Sequence, residues 1–102
     1  MGDIVIIKKP PPKDEVTYFY LIEKNTVQSD AQEEKGKSDI TKLVRQEGGK
    51  CRLYRTSGSA FDFISVVTGI STISAIKIAG EINKRGDVRA TLVPGVETFH
   101  RK

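Results

Sequence analysis

Two segments of the sequence have a serine where a helix could begin and a glycine where it could end. The first segment begins at Ser38, whose hydroxyl can accept hydrogen bonds from the free N–H groups of a first helical turn. Gly48 and Gly49 follow it, and glycine closes a helix in the left-handed conformation without a steric cost. The apolar face of this predicted helix consists of Ile40, Leu43 and Val44.

The second predicted helix begins at Ser71 or Thr72, runs to about Arg85 and is closed by Gly86. Polar and charged residues fall on the side opposite its apolar stripe, which is typical of a helix that buries one face. The stripe consists of Ile73, Ile76, Ala79 and Ile82. Two amphipathic helices need a shared apolar surface to cover, and the strands described next can supply one.

Most of the other apolar residues alternate with a period of two, which indicates β-strands. In residues 16–23 strong β formers occupy both sides of the alternation, so this strand is predicted to be buried on both faces near its middle. Further strands are predicted over residues 4–8, 51–56, 61–68 and 88–93. Residues 25–37 are polar and are predicted to form a mobile loop, and residues 94–95, Pro-Gly, a turn.

The order of these elements predicts one α+β domain over residues 1–102. Strand, strand and helix occur twice in succession, so the chain has two candidate repeats of pattern, residues 1–49 and 50–93. A mostly antiparallel sheet of about five strands, with two helices on one face, would bury both apolar stripes together. A chain of 102 residues has room for one such core.

Histidine and cysteine are scarce, and the carboxylates are numerous but scattered, with no pair that stands out. His100 is the only histidine and Cys51 the only cysteine, too few for a zinc site built from these two types. Residues 31–38 match a loose phosphate-loop pattern, but Glu33 and Glu34 stand where the phosphates would bind. The sequence therefore predicts no enzyme, no metal site and no cofactor.

No apolar run approaches the roughly 20 residues that cross a bilayer. The first three residues lack the positive charge of a secretory signal. A lone cysteine, which can form no internal disulfide, is usual in a reducing compartment. We therefore expect a protein of the cytoplasm, or of a host's cytoplasm, with no membrane segment.

Positive charge is concentrated in the second half of the chain. The net charge is +4, and residues 50–102 contain nine Lys or Arg against four acids, an asymmetry that can attract a polyanion. Arg52 and Tyr54 share one face of a predicted strand, where a cation beside a flat ring suits phosphate contact and base stacking. The alternative is that Tyr54 packs under a neighbour and the arginines only face water. The candidate nucleic-acid site consists of Lys50, Arg52, Tyr54, Arg55, Lys84, Arg85 and Arg89.

Residues 67–97 resemble a segment of Alba-type DNA- and RNA-binding proteins. The features in common are a strand that ends at Thr68, then Gly69, then an Ile- and Ala-rich helix and a further strand. The resemblance implies a small α/β fold, a dimer, and non-enzymatic binding of nucleic acid by basic groups, including a hairpin arm after the second helix. In its small size and lack of tryptophan the chain is also similar to accessory proteins of archaeal viruses.

These observations predict a binding module. DNA or RNA is the favoured partner because of the basic second half of the chain. A protein or peptide is the alternative partner, which would add to an open sheet edge or fill the groove between the two repeats. In that case the protein would be an adaptor, for example an accessory protein of a virus.

Overall fold

The computed structural model describes residues 16–57 and 60–96. Within these ranges the chain forms four strands and two helices, which confirms the α+β class. The predicted strand over residues 4–8 lies outside the described residues. The elements are β1 (Val16–Lys24), α1 (Asp30–Gln46), β2 (Lys50–Arg55), β3 (Phe63–Thr68), α2 (Thr72–Lys84) and β4 (Val88–Val96).

The four strands form one antiparallel sheet in the order β2-β3-β1-β4. The centre is formed by β1 and β3, and Tyr20 of β1 pairs with Ser65 of β3 on one side and with Leu92 of β4 on the other. The edges are β2 and β4. Each half of the chain is a strand, a helix and a strand, and the two halves interleave in the sheet. This is the ferredoxin-like arrangement of elements.

Both helices cover the same face of the sheet, and the core lies between them and β1. The buried side chains of β1 are Tyr18, Tyr20 and Ile22. The helices cover them with Ile40, Val44, Ala75, Ile78 and Ile82. The hydroxyl of Tyr20 donates to the carbonyl of Ala75 at 2.7 Å, so the polar end of this core tyrosine has a partner.

The loop predicted over residues 25–37 is wrong from residue 30 onward, because α1 begins at Asp30. Ser29 is the N-cap: its hydroxyl accepts from the amide of Gln32, and the Gln32 side chain accepts from the amide of Ser29. This reciprocal capping box satisfies two backbone donors that a helix start leaves free. Ser38, the predicted cap, lies inside the helix.

The first two turns of α1 are held to the sheet by charge, and this is why hydrophobic periodicity did not indicate them. Glu33 is only 8% exposed, and its carboxylate accepts from Lys24 of β1 at 2.6 Å and from Arg55 of β2 at 2.9 Å. A buried carboxylate is tolerated where cations pair with it. Residues 30–37 are therefore helical and packed on the sheet, although their polar composition is typical of a loop.

The start and end of α2 agree with the sequence analysis. The hydroxyl of Ser71 accepts from the amide of Ser74, and Gly86 has a φ of +83°, the left-handed conformation that follows a helix end. The stripe predicted for α2 is only partly right: Ile82 is buried, but Ile73 and Ile76 are 80% and 59% exposed.

The buried side of α2 runs through Ala75, Ile78 and Ile82 instead. Small Ala75 lets the helix backbone come close enough for its carbonyl to accept from the core tyrosine Tyr20. That close approach sets the rotation of the helix and turns Ile73 and Ile76 outward.

Two predictions about the strands are also wrong. Only one face of β1 is buried, because both helices of the described part of the chain lie on that side of the sheet. Pro94 and Gly95 form no separate turn but belong to β4, where they pair with Tyr18 and Thr17. An edge strand tolerates proline, since one side of it needs no hydrogen-bond donors.

The predicted repeats of strand, strand and helix stay unconfirmed, since the first strand of the first repeat is not described. The described elements show a different symmetry, in which strand, helix and strand occur twice. The hairpin arm that the Alba-type resemblance implies is not found in residues 60–96, where β4 pairs with β1 from Val88 to Val96.

Candidate nucleic-acid interface

Both helices in residues 16–57 and 60–96 lie on one face of the sheet, and we call the other face the open face. The pairing register shows which side chains share this face, because alternate residues of each strand point to the same side. They are Lys50, Arg52 and Tyr54 of β2, Ile64, Val66 and Thr68 of β3, Thr17, Phe19, Leu21 and Glu23 of β1, and Arg89, Thr91, Val93 and Gly95 of β4.

Lys50, Arg52 and Tyr54 follow one another along the outer strand of the open face. All three are exposed, and Tyr54 is 49% exposed, so it does not pack under a neighbour. Among residues 16–57 and 60–96, neither Lys50 nor Arg52 has an ion-pair partner. Together with side chains of β1 and β3 they line a shallow depression of about 260 Å³. The structure thus brings together two cations and one ring of the predicted site, which we call the β2 row.

Phe19 lies near the β2 row and was missed by the sequence analysis. Register places Arg52, Val66, Phe19 and Val93 in one line across the sheet. A second depression of about 270 Å³ lies beside Phe19, on the side of β4. The period-two alternation of β1 could have indicated Phe19, because it puts this residue on the side opposite Tyr18 and Tyr20. We had expected both sides to be covered.

Arg55 lies on the opposite face of the sheet from the β2 row. It is adjacent to Tyr54 in the strand and therefore points the other way, toward α1. Its guanidinium donates to Glu33 and lies 5.6 Å from the centre of the Phe63 ring. The hydrogen bond from Lys24, together with the charges of Lys24 and Arg55, holds the pKa of Glu33 below its ordinary value of 4.5. In this structure Arg55 anchors a helix.

The second basic line of the predicted site is also separated from the β2 row. Arg85 pairs with Asp39 at 3.1 Å and with Asp87 at 2.9 Å. Arg89 is on the open face, but at the far edge, and pairs with Glu23 at 2.7 Å. Lys84 is on α2, with Glu81 at 3.8 Å. Nearby carboxylates partly neutralise these three cations, and the structure does not bring them to Lys50 and Arg52.

Two further cations were not singled out from the sequence. Lys42 and Arg45 are exposed on the second half of α1, the helix that leads through two glycines into β2. No salt bridge joins either of them to a carboxylate within the described ranges. Arg45 precedes Lys50 by five residues, and this places another unpaired cation at the end of the molecule where β2 begins.

Cys51 is placed as a partly buried thiol and not as an activated nucleophile. The thiol of Cys51 is half-buried, 3.1 Å from the hydroxyl of Ser65, and burial raises its pKa. A thiol with a raised pKa is a poor nucleophile at neutral pH. In the described part of the chain no three His, Cys, Asp or Glu residues are grouped so that they could hold a metal ion, and His100 lies outside that part. No helix of the described part is long and apolar enough to span a membrane.

Comparison with known proteins finds a similar fold but no related sequence family. No family model and no curated protein matches it, so the resemblance of residues 67–97 to Alba-type proteins has no support from a family. Its structure is similar to the crystal structure of the Mycobacterium tuberculosis Leucine response regulatory protein (LrpA), with a TM-score of 0.57 and 15% sequence identity. The similarity covers 91% of this chain but 60% of the regulator. It shows that this α+β fold occurs within a longer regulatory protein.

Proposed function

We propose that this protein is a non-enzymatic nucleic-acid-binding module of the cytoplasm. Lys50 and Arg52 bind phosphates, and the Tyr54 ring stacks on a base. The observation that carries the proposal is the β2 row, in which two cations without an ion-pair partner among the described residues lie beside an exposed ring on the open face. Cations that neutralise phosphates supply most of the affinity of such modules. A flat sheet with exposed rings is a known platform for unpaired bases.

Two further observations support the proposal. Phe19 of β1 offers a second ring, which lines a depression of its own. Strand β3 lies between Phe19 and Tyr54. LrpA, whose fold is similar, is a response regulatory protein, and binding to nucleic acid would suit a regulatory role here.

The proposal is tested by titrating the protein with random-sequence DNA and RNA, single-stranded and duplex, at several salt concentrations. We expect affinity to fall with salt, with a log–log slope of about −0.7 to −0.9 for each neutralised phosphate. The double variant Lys50→Gln with Arg52→Gln should bind more weakly and make the slope smaller by about 1.4 to 1.8.

A matched control removes the same charge elsewhere. The double variant Lys35→Gln with Lys77→Gln changes two lysines that are 75% and 64% exposed, lie on the helices and are not part of the candidate site. Its affinity and salt slope should stay close to those of the unmodified protein. If both double variants lose the same affinity, binding depends on net charge and not on a particular site. If the unmodified protein does not bind nucleic acid at low salt, the proposal is overturned.

The contribution of stacking is tested separately with Tyr54→Leu, which keeps an apolar side chain but removes the ring. We expect binding of single strands to weaken by about 1–3 kcal/mol, while the salt slope stays the same. Duplex binding should change less, because paired bases are not free to stack on the sheet. Unchanged affinity for single strands would exclude Tyr54 as a stacking residue.

A protein or peptide partner is the second candidate. The observation that favours it is the centre of the open face, where apolar side chains of three strands lie together on the side away from the two described helices. Uncovered apolar patches of this kind are typical of protein interfaces.

A further inference from the structure

We propose that a single nucleic-acid strand passes around the β2 edge of the sheet and contacts α1 as well as the open face. This rests on the proposed function and names its partner as single-stranded DNA or RNA. Of the twelve lysines and arginines in residues 16–57 and 60–96, eight have a carboxylate partner. The four without one follow each other directly among the basic residues of the chain, and we call them the basic strip: Lys42, Arg45, Lys50 and Arg52.

The packing of α1 brings Arg45 to the β2 edge. Thr41 and Arg45 are one turn apart on the same flank of the helix. The side chain of Thr41 lies within hydrogen-bonding reach of the thiol of Cys51 on β2. The other flank of α1, with Leu43, faces a groove that it shares with α2. Arg45 therefore projects on the side of α1 where the sheet ends at β2.

Few carboxylates compete with a phosphate along the basic strip. Glu47 is the only acid in residues 40–61, and it pairs with Lys77 on α2. The carboxylates in the groove beside Lys42 are each paired with another cation. All four side chains of the strip are exposed. A polyanion therefore binds them without breaking an ion pair among the described residues.

The basic strip crosses from one side of the sheet to the other. Arg52 lies on the open face, whereas Lys42 and Arg45 belong to the helix layer on the opposite side, about 10 Å away. Lys50, the first residue of β2, lies between them. A polyanion that contacts all four must turn around the edge of the domain. Duplex DNA does not bend so sharply, since its persistence length is about 150 base pairs, whereas the backbone of a single strand is flexible.

The two ends of the strip contribute differently to binding. On the open face Tyr54 follows Arg52, so a base stacks there beside the bound phosphates. Helix α1 has no aromatic residue, so Lys42 and Arg45 contact phosphates alone. Their contribution should therefore depend on salt but be equal for strands of thymine and of adenine.

The test uses the double variant Lys42→Gln with Arg45→Gln in the salt titration. For single strands of about 12 nucleotides we expect weaker binding and a log–log slope smaller by about 1.4, equally for oligo-dT and oligo-dA. For a duplex of the same length the slope should not change. The double variant Lys35→Gln with Lys77→Gln is the control: it removes two ion-paired cations from the same helices and should leave both slopes unchanged.

Circular dichroism and thermal unfolding check that both double variants are folded, which their exposed positions favour. The inference is overturned if the variant at positions 42 and 45 binds single strands as tightly as the unmodified protein, or if duplexes lose the same slope. It is also overturned if the control loses as much. In each of these cases the proposed function stands as long as the variant at positions 50 and 52 binds more weakly. If the unmodified protein binds no nucleic acid at low salt, both are overturned.

Discussion

Glu33 shows how a single buried carboxylate can hold two layers of a domain together. It accepts from Lys24 at 2.6 Å and from Arg55 at 2.9 Å, so one helix residue is tied to two strands that are not neighbours. Because folding lowers the pKa of Glu33, the carboxylate stabilises the fold above its unfolded pKa, near 4.5. This stability is lost as the pH falls through the lower pKa of the folded state. The pKa of Glu47 is lowered in the same direction, by hydrogen bonds from Ser74 and Lys77.

We predict that Glu33→Gln lowers the free energy of unfolding at pH 7 and weakens its dependence on pH below about 4.5. The amide cannot reproduce two charge-assisted hydrogen bonds, and it does not titrate. Glu34→Gln is the control, because Glu34 is 74% exposed and pairs only with Lys37 among the described residues. Denaturant unfolding from pH 3 to pH 7 measures both variants. Equal pH slopes for Glu33→Gln and the unmodified protein would contradict the assignment.

Gly49 and Gly80 should respond in opposite ways to alanine. At Gly49 a Cβ atom would lie 2.5 Å from Ile70 Cγ2 and 2.8 Å from the carbonyl oxygen of Thr68, so we expect Gly49→Ala to cost about 1–3 kcal/mol. At Gly80, in the exposed interior of α2, a Cβ meets nothing within 4 Å. Gly80→Ala should stabilise the fold by about 0.5–1 kcal/mol. Chemical denaturation of both variants checks the two signs, and a neutral Gly49→Ala would show that the contact relaxes.

Among the elements, α1 departs most from what the sequence pattern indicated. Its second half has the apolar face of Ile40 and Val44 and was found. Its first half has no such face, because the contacts that dock it are ionic. Its start is set by Ser29 and Gln32, a pair whose spacing matches a capping box and could have been found in the sequence.

The start of α1 can be tested with two serines. Ser29→Ala should cost about 1 kcal/mol, since it removes the side chain that caps the helix. Ser38→Ala should change stability by less than about 0.5 kcal/mol, or raise it slightly, because alanine has the higher propensity inside a helix. Thermal or denaturant unfolding compares them. A larger loss at Ser38 than at Ser29 would mean that the helix begins where the sequence analysis placed it.

At the scale of the whole molecule, the decisive feature is the interleaving of the two halves. Strand β1 lies between β3 and β4, so both strands that pair with β1 come from the other half of the chain. The contacts between β1 and β4 join residues about 70 positions apart, such as Glu23 and Arg89. Among the described residues, the two strands of each half do not pair with each other, so neither half forms a sheet of its own.

We therefore predict that residues 1–57 and residues 58–102, produced separately, are each unfolded. Each would keep two strands that do not pair with each other, and an isolated helix is marginal without packing. An equimolar mixture should regain the circular dichroism spectrum and the cooperative melting of the intact chain. Cooperative unfolding of one half alone would instead support an independent repeat.

The sequence by itself determined the periodic features: the α+β class, the cap and end of α2, four strands within a few residues, and the shared side of Arg52 and Tyr54. These depend on local spacing, because a strand repeats every two residues and a helix every 3.6. Only the tertiary structure decided which strands are neighbours, which face both helices cover, and hence that Arg55 docks a helix while Lys50, Arg52 and Phe19 lie on an open face. Those outcomes depend on contacts between residues far apart in the chain, and no local pattern specifies them.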